Sequence, residues 1–180
     1  MKKVFFLFLL FAGTQVCSQQ HYKSFIPKGF KELSFVKGDL NGDKIPDAIL
    51  VLRDASDKIF PSEAKRPLFI LFGTGGNKYK IAALNNNVVL SYVYGGGWGE
   101  PLSDIVIKNG YFSVELYGGS RERWSRIITF KYNKYDKKFY LHKDGSSVVD
   151  TLDPDKEFPE KIRTTKDFGR LPFEKFNVYN

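Results

Sequence analysis

The chain is poor in the residues that most often carry enzyme chemistry. Among its 180 residues there is one cysteine, Cys17, and there are two histidines, His21 and His142. Neither histidine stands beside a serine or cysteine motif. The G-x-S-x-G, H-E-x-x-H and P-loop patterns are all missing. Cys17 sits in the N-terminal stretch. If processing removes it, no thiol remains, which excludes a disulfide, a thiolate metal ligand and a cysteine nucleophile. Helical periodicity is lacking through the middle of the chain, and the apolar run Val4 to Ala12 is too short to cross a bilayer comfortably.

That short run sits in an informative context. "MKKVFFLFLLFAGTQVCSQQ" has a basic start at Lys2 and Lys3, an apolar centre, and small residues before Gln19. This is the pattern of a secretory signal peptide over residues 1–18, followed by one domain over residues 19–180. The expected location is periplasmic or extracellular, with no transmembrane segment in the mature chain. Lipoprotein anchoring through Cys17 is the weaker expectation, because "TQV" lacks a small residue just before the cysteine. About 160 residues remain after cleavage, enough for a sizeable single core.

The formal charge of +8 falls to +6 when Lys2 and Lys3 are removed (8 − 2). The lysines are scattered rather than clustered, so a nucleic-acid partner is not expected. Anionic envelope partners and simple solubility both remain open as reasons for the charge.

What is abundant is aromatic residues, glycine, and Val/Ile runs broken by Gly, Asn and Asp, a pattern of strands and turns. Asp47 to Leu52 reads as an apolar strand. Pro67 to Phe72 and "KYKIAAL" read as a hairpin joined by "GTGGN". Asn109-Gly110 suits a type I′ turn. After that turn Phe112, Val114 and Leu116 face one way, and Tyr111, Ser113, Glu115 and Tyr117 the other. Trp124, Arg126, Ile128, Phe130 and Tyr132 share a face of the next strand, and Phe139 and Leu141 follow beyond "NKYDKK". The tail after Pro154 is irregular but rich in Phe, so it is expected to pack on the body. The expected fold is all-β, a mostly antiparallel meander or sandwich with an irregular C-terminal segment, in a single domain.

One stretch speaks about chemistry. In "KGDLNGDKIPDAILVL", Asp39, Asn41, Asp43 and Asp47 occupy positions one, three, five and nine of a loop. Ile45 adds a backbone carbonyl at position seven. Hard oxygen donors at alternate positions in a tight loop can converge on a calcium ion. Position six is Lys44 where glycine is usual, and position twelve is Leu50 where a bidentate Glu is usual, so moderate to weak affinity is expected. The other reading is an Asx-rich turn without an ion.

The stretch resembles the calcium loop of FG-GAP and VCBS-type repeats, in which D-x-[DN]-x-D-G-x-x-D leads into a strand. "PLFILFGTGGNKYKI" is similar to the later strands of such a repeat. The Asp-rich stretch has no second copy, and one copy cannot close a propeller. The loop, the "GGWGEP" turn (Gly96 to Pro101), the Asn109-Gly110 hairpin, "YGGSRERW" (Tyr117 to Trp124) and the "TKDFG" to "FEKF" end together resemble a family of exported bacterial proteins. That resemblance implies fold and export but no activity.

The Gly-rich segments also frame a possible contact surface. Tyr94, Trp98, Arg121 and Arg123 are residue types that anchor binding interfaces. Trp98 is open between a surface and a core role, whereas Trp124 is in phase with Ile128 and Phe130 and reads as core. The leading expectation is a non-enzymatic envelope binding or structural module, with an envelope glycan or envelope protein as partner. Alternatives are a glycan hydrolase using carboxylates among Glu100, Asp104 and Glu115, and an inhibitor or partner of another envelope protein.

Overall fold

The computed structural model describes residues 20–57, 63–153 and 155–180. The expected cleavage point and Cys17 lie outside the described residues. Ten strands form two antiparallel five-stranded sheets. The first runs β1 (Gln20–His21), β5 (Lys78–Val89), β4 (Arg66–Gly73), β3 (Asp47–Asp54), β2 (Phe30–Gly38) across the sheet. The second runs β10 (Lys161–Thr164), β9 (Lys138–Asp150), β8 (Glu122–Asn133), β7 (Tyr111–Gly119), β6 (Leu102–Lys108). The edge strands β2 and β6 meet, so the two sheets adjoin as well as face each other. The all-β, single-domain expectation holds.

The two sheets are buried differently, and the sequence shows why. In β3, Asp47 to Leu52 is buried at every position. Ile49 and Val51 enter the core between the sheets. Ala48, Leu50 and Leu52 face the other way and are covered by Tyr22, Phe25, Ile26, Phe30 and Phe35. A strand covered on both faces loses its alternation, hence the continuous apolar run. In β7 the alternation is clean: Phe112, Val114 and Leu116 are buried and their neighbours half-exposed. That is a strand with one face on the core. The turn before it has positive φ at both Asn109 (52°) and Gly110 (75°), as a type I′ turn requires.

The core between the sheets is aromatic. Phe112 stacks on Phe130 with centroids 5.0 Å apart, and Phe173 meets both rings edge-on. Phe173 belongs to the tail, as do the buried Phe176 and Val178. The tail is also bolted by polar contacts. The Asn85 amide donates to the Phe173 and Phe176 carbonyls, and the Val178 N–H donates to the Asn87 carbonyl. The expected packing of the tail is therefore present. Its expected irregularity holds as well, broken only by short elements: Lys161–Thr164 forms β10 on β9, and a short helix, α1 (Thr165–Phe168), starts with a Thr164/Asp167 capping box. Four-residue elements leave too little periodicity to read. Among the described residues no helix is long and apolar enough to cross a membrane.

Candidate functional site

The Asp39–Asp47 loop connects β2 to β3, and its side chains are used locally. Asp39 accepts from the Gly42 and Lys44 N–H groups at 2.7 and 3.1 Å. Asn41 accepts from the Asp43 N–H, and Asp43 accepts from the Ile45 N–H, each at 2.8 Å. The Asn41 amide also donates to Asp43. These are Asx turns, and they hold Lys44 at a left-handed φ of 66°. Asp47 differs from the others. It is fully buried, and its two oxygens accept from the Leu40 and Gly73 N–H groups at 2.9 Å. Gly73 has to be glycine, because a Cβ there would lie 2.2 Å from the Pro46 carbonyl oxygen. Asp47 thus staples the loop to β4. Burial pushes its carboxyl up to about 6. The Gly73 and Leu40 N–H groups oppose this, and the Asp43 charge adds to it.

All five residues expected at the metal site, Asp39, Asn41, Asp43, Ile45 and Asp47, lie in this loop or at its end, but their polar side chains are spent on separate local bonds. Among the described residues no three acidic, His or Cys side chains converge as a metal cluster. The donor set nevertheless fits a hard cation chemically. It is all oxygen. Asp39, Asp43 and Asp47 form no ion pair with Lys or Arg among the described residues. Each carboxylate oxygen keeps a second acceptor site beyond its N–H bond.

A second buried aspartate is treated in the opposite way. Asp144 on β9 takes Arg126 through both oxygens at 2.9 Å and Arg163 of β10 at 2.6 Å. Burial pushes its carboxyl up, but the two guanidiniums more than offset that and hold it below the ordinary aspartate value. Arg126 also donates to the Val178 carbonyl, so this cluster pins the tail.

The aromatic surface forms at the far end of β7 and β8. Trp98 ends a 3₁₀ stretch, Tyr92–Trp98, and is 56% exposed. The Arg123 guanidinium lies 4.9 Å over its ring, and Tyr117 meets it edge-on at 5.2 Å. Arg123 also donates to the Tyr117 hydroxyl. The hairpin below needs Gly119, whose φ is 102° and whose Cβ would strike the Glu122 carbonyl at 2.1 Å. Trp124 is packed against the core as its phase implied. Of the four expected contact residues, the structure joins Trp98 and Arg123. Arg121 is turned to a bidentate pair with Asp150, and Tyr94 packs on Tyr179.

Glu100, two residues after Trp98, is paired with the fully buried Arg66 through both its oxygens, and Arg66 also holds Asp57. Arg66 thereby fixes the base of the Trp98 segment. A lone Arg before a proline gave no sequence signal for this. Asp104 and Glu115 are cross-strand partners on β6 and β7, on the face away from the core. Glu100, committed to Arg66, is not part of that pair.

A concavity of about 610 Å³ went unread in the sequence. It lies between the Leu40–Gly42 backbone, the Asn109-Gly110 turn and the β8–β9 hairpin, and includes Arg170. In the sequence, "NKYDKK" reads only as the loop between two strands. The alternation of lysine and tyrosine in "KYNKYDKKFY" was the available signal. No protein-family model, curated protein or solved structure matches the chain.

Proposed function

We propose that the chain is an exported, non-enzymatic binding module of the cell envelope, stabilised by a calcium ion in the Asp39–Asp47 loop. The observation that carries this reading is the Trp98 platform. A large ring is held exposed on a rigid two-sheet scaffold, with an arginine on its face and a tyrosine at its edge. Trp, Tyr and Arg are the residue types that dominate binding energy when a partner desolvates them. An envelope glycan or an envelope protein is the partner class that suits such a surface. The engagement of Glu100 by Arg66 favours binding over glycan hydrolysis.

Calcium suits the loop in donor type and in charge. Asp39, Asn41, Asp43 and Asp47 would hold it with their side chains and Ile45 with its carbonyl. The ion would neutralise carboxylates that have no cationic partner among the described residues. The likeness of the loop to FG-GAP and VCBS repeats supports the same reading. The test is a glycan and envelope-extract binding screen with calcium present, repeated with Trp98→Ala and Arg123→Ala. Loss of the bound partner in both variants supports the platform. A partner held equally well by both variants refutes it.

A further inference from the structure

The concavity between the Asn109-Gly110 turn and the β8–β9 hairpin has its own chemistry. Its walls include Tyr132, Tyr135 and Tyr140 and the cations Lys131, Lys134 and Arg170, and among the described residues no carboxylate lines it. Tyr132 is anchored on the core by Phe72 and Phe139. Tyr140 is braced by the Arg170 guanidinium, 4.3 Å over its ring, and by its own bond to Asp136. Tyr135 is 88% exposed at the hairpin tip. Arg170 is already paired with Asp136. Lys131 and Lys134 lie 5.1 and 5.4 Å over the rings of Tyr111 and Tyr135, and among the described residues neither pairs with a carboxylate.

We infer that this cleft is a binding site for an acidic oligosaccharide, separate from the Trp98 platform. Tyrosine faces suit the C–H faces of sugar rings, and the side chains of Asn109 and Asn133 can meet hydroxyls as donor or acceptor. The unpaired cations are lysines, point charges that match single carboxylates spaced along a sugar chain. The one arginine fork that would favour a phosphate is engaged by Asp136. The volume falls in the range of small-ligand sites. Tyr111 and Gly119 bound β7, so the cleft and the Trp98 end are separated by about 27 Å of strand. The inference depends on neither the platform nor the calcium ion.

The experiment is calorimetric titration of the folded protein with a tetragalacturonate, a neutral tetragalactose and a tetraglutamate peptide. The acidic sugar should bind, and the neutral sugar and the peptide should bind at least about tenfold more weakly. Binding should weaken severalfold when salt is raised from about 0.05 to 0.5 M, as screening requires. Lys131→Ala/Lys134→Ala and Tyr135→Ala should each cost about tenfold. All three side chains are exposed, so the variants should fold. The charge-matched control Lys31→Ala/Lys80→Ala on the other sheet should bind as wild type. No heat with the acidic sugar at millimolar concentration, equal binding of the neutral sugar or the peptide, or affinity indifferent to both cleft variants would overturn the assignment.

Discussion

Asp47 and Asp144 are both buried aspartates that tie distant segments together, yet their surroundings are opposites. Asp144 has two arginines, and its charge is matched within the fold. Among the described residues Asp47 has only backbone N–H groups as partners, with the Asp43 charge close enough to raise its carboxyl further. A carboxylate matched by arginines is ionised because the chain itself supplies the counter-charge. A carboxylate matched only by N–H dipoles lacks that counter-charge, and an added cation can provide it. The two corners of one molecule therefore respond differently to pH, to calcium and to truncation.

Truncation gives the largest expected effect. Asp47→Ala leaves the Leu40 and Gly73 N–H groups buried without acceptors. At about 1–3 kcal/mol each, the loss is about 2–6 kcal/mol. Asp144→Ala should cost less, about 1–3 kcal/mol. Arg163 is half-exposed and can return to water, and Arg126 keeps the Val178 carbonyl. Urea denaturation of both variants measures the order. A larger loss for Asp144→Ala would break the comparison.

The pH response follows from the direction of each shift. Asp47 has its carboxyl raised to about 6 in the folded protein, against about 3.9 in an unfolded chain. Between those values the folded state binds more protons than the unfolded one. Stability from this group is thus present at low pH and is lost as pH rises towards about 6, by up to about 3 kcal/mol. Asp144 runs the other way. Its folded value is depressed, so its contribution is present above the unfolded value and is lost as acid protonates it. Chemical denaturation of wild type and Asp47→Asn in chelator, between pH 4 and 7, isolates the first effect. The difference between the two proteins should shift against wild type as pH rises. A flat difference would mean that Asp47 titrates normally and carries no uncompensated charge.

Calcium should act on the same group. An ion that binds only the folded state at a hundredfold excess over Kd adds about 2.7 kcal/mol. The ion needs ionised Asp47, so the gain should be full near pH 7.5 and fade as pH falls below about 6, where a proton occupies the ligand. Asp43→Ala should remove the gain, whereas Arg163→Gln beside Asp144 should leave it intact. Thermal melts with calcium and with chelator at two pH values test this. A melting curve unmoved by millimolar calcium at pH 7.5 leaves the loop as a hydrogen-bonded turn.

The sequence was informative where one physical rule acts alone. Asn109-Gly110 fixed its turn because few other pairs tolerate two positive φ values. The alternation at Phe112, Val114 and Leu116 fixed the buried face of β7. Long-range pairing left no such trace. Nothing local tells that Arg66 reaches Glu100, or that Arg126 and Arg163 converge on Asp144, because those partners meet only after the sheets form. The same holds for Arg121: its spacing put it beside Arg123, while the hairpin geometry delivered it to Asp150. The candidate ligands Asp39 to Asp47 were legible as a set, but the inward turn of Asp47 was not. It depends on Gly73, which is 26 residues away and on another strand.

Lys44 offers the smallest and most specific change. It sits at φ 66° in a position where the calcium-loop pattern usually places glycine. A left-handed non-glycine residue costs about 1–2 kcal/mol, and glycine returns part of that through its larger unfolded-state entropy. Lys44→Gly should therefore stabilise the calcium-free protein by about 0.5–1 kcal/mol. The Lys44 N–H bond to Asp39 is a backbone bond and survives the change. Removing the ammonium also removes a like charge near the ion, so calcium affinity should rise by up to about tenfold. The two effects separate cleanly, one by denaturation in chelator and the other by calorimetry. Asp144 and its arginines should be indifferent to both. If Lys44→Gly stabilises the chelated protein and leaves the calcium titration unchanged or silent, the strain is real and the loop is a turn that needs no ion. If it also sharpens the calcium isotherm, then the unmatched charge at Asp47 is completed by an ion from outside the chain.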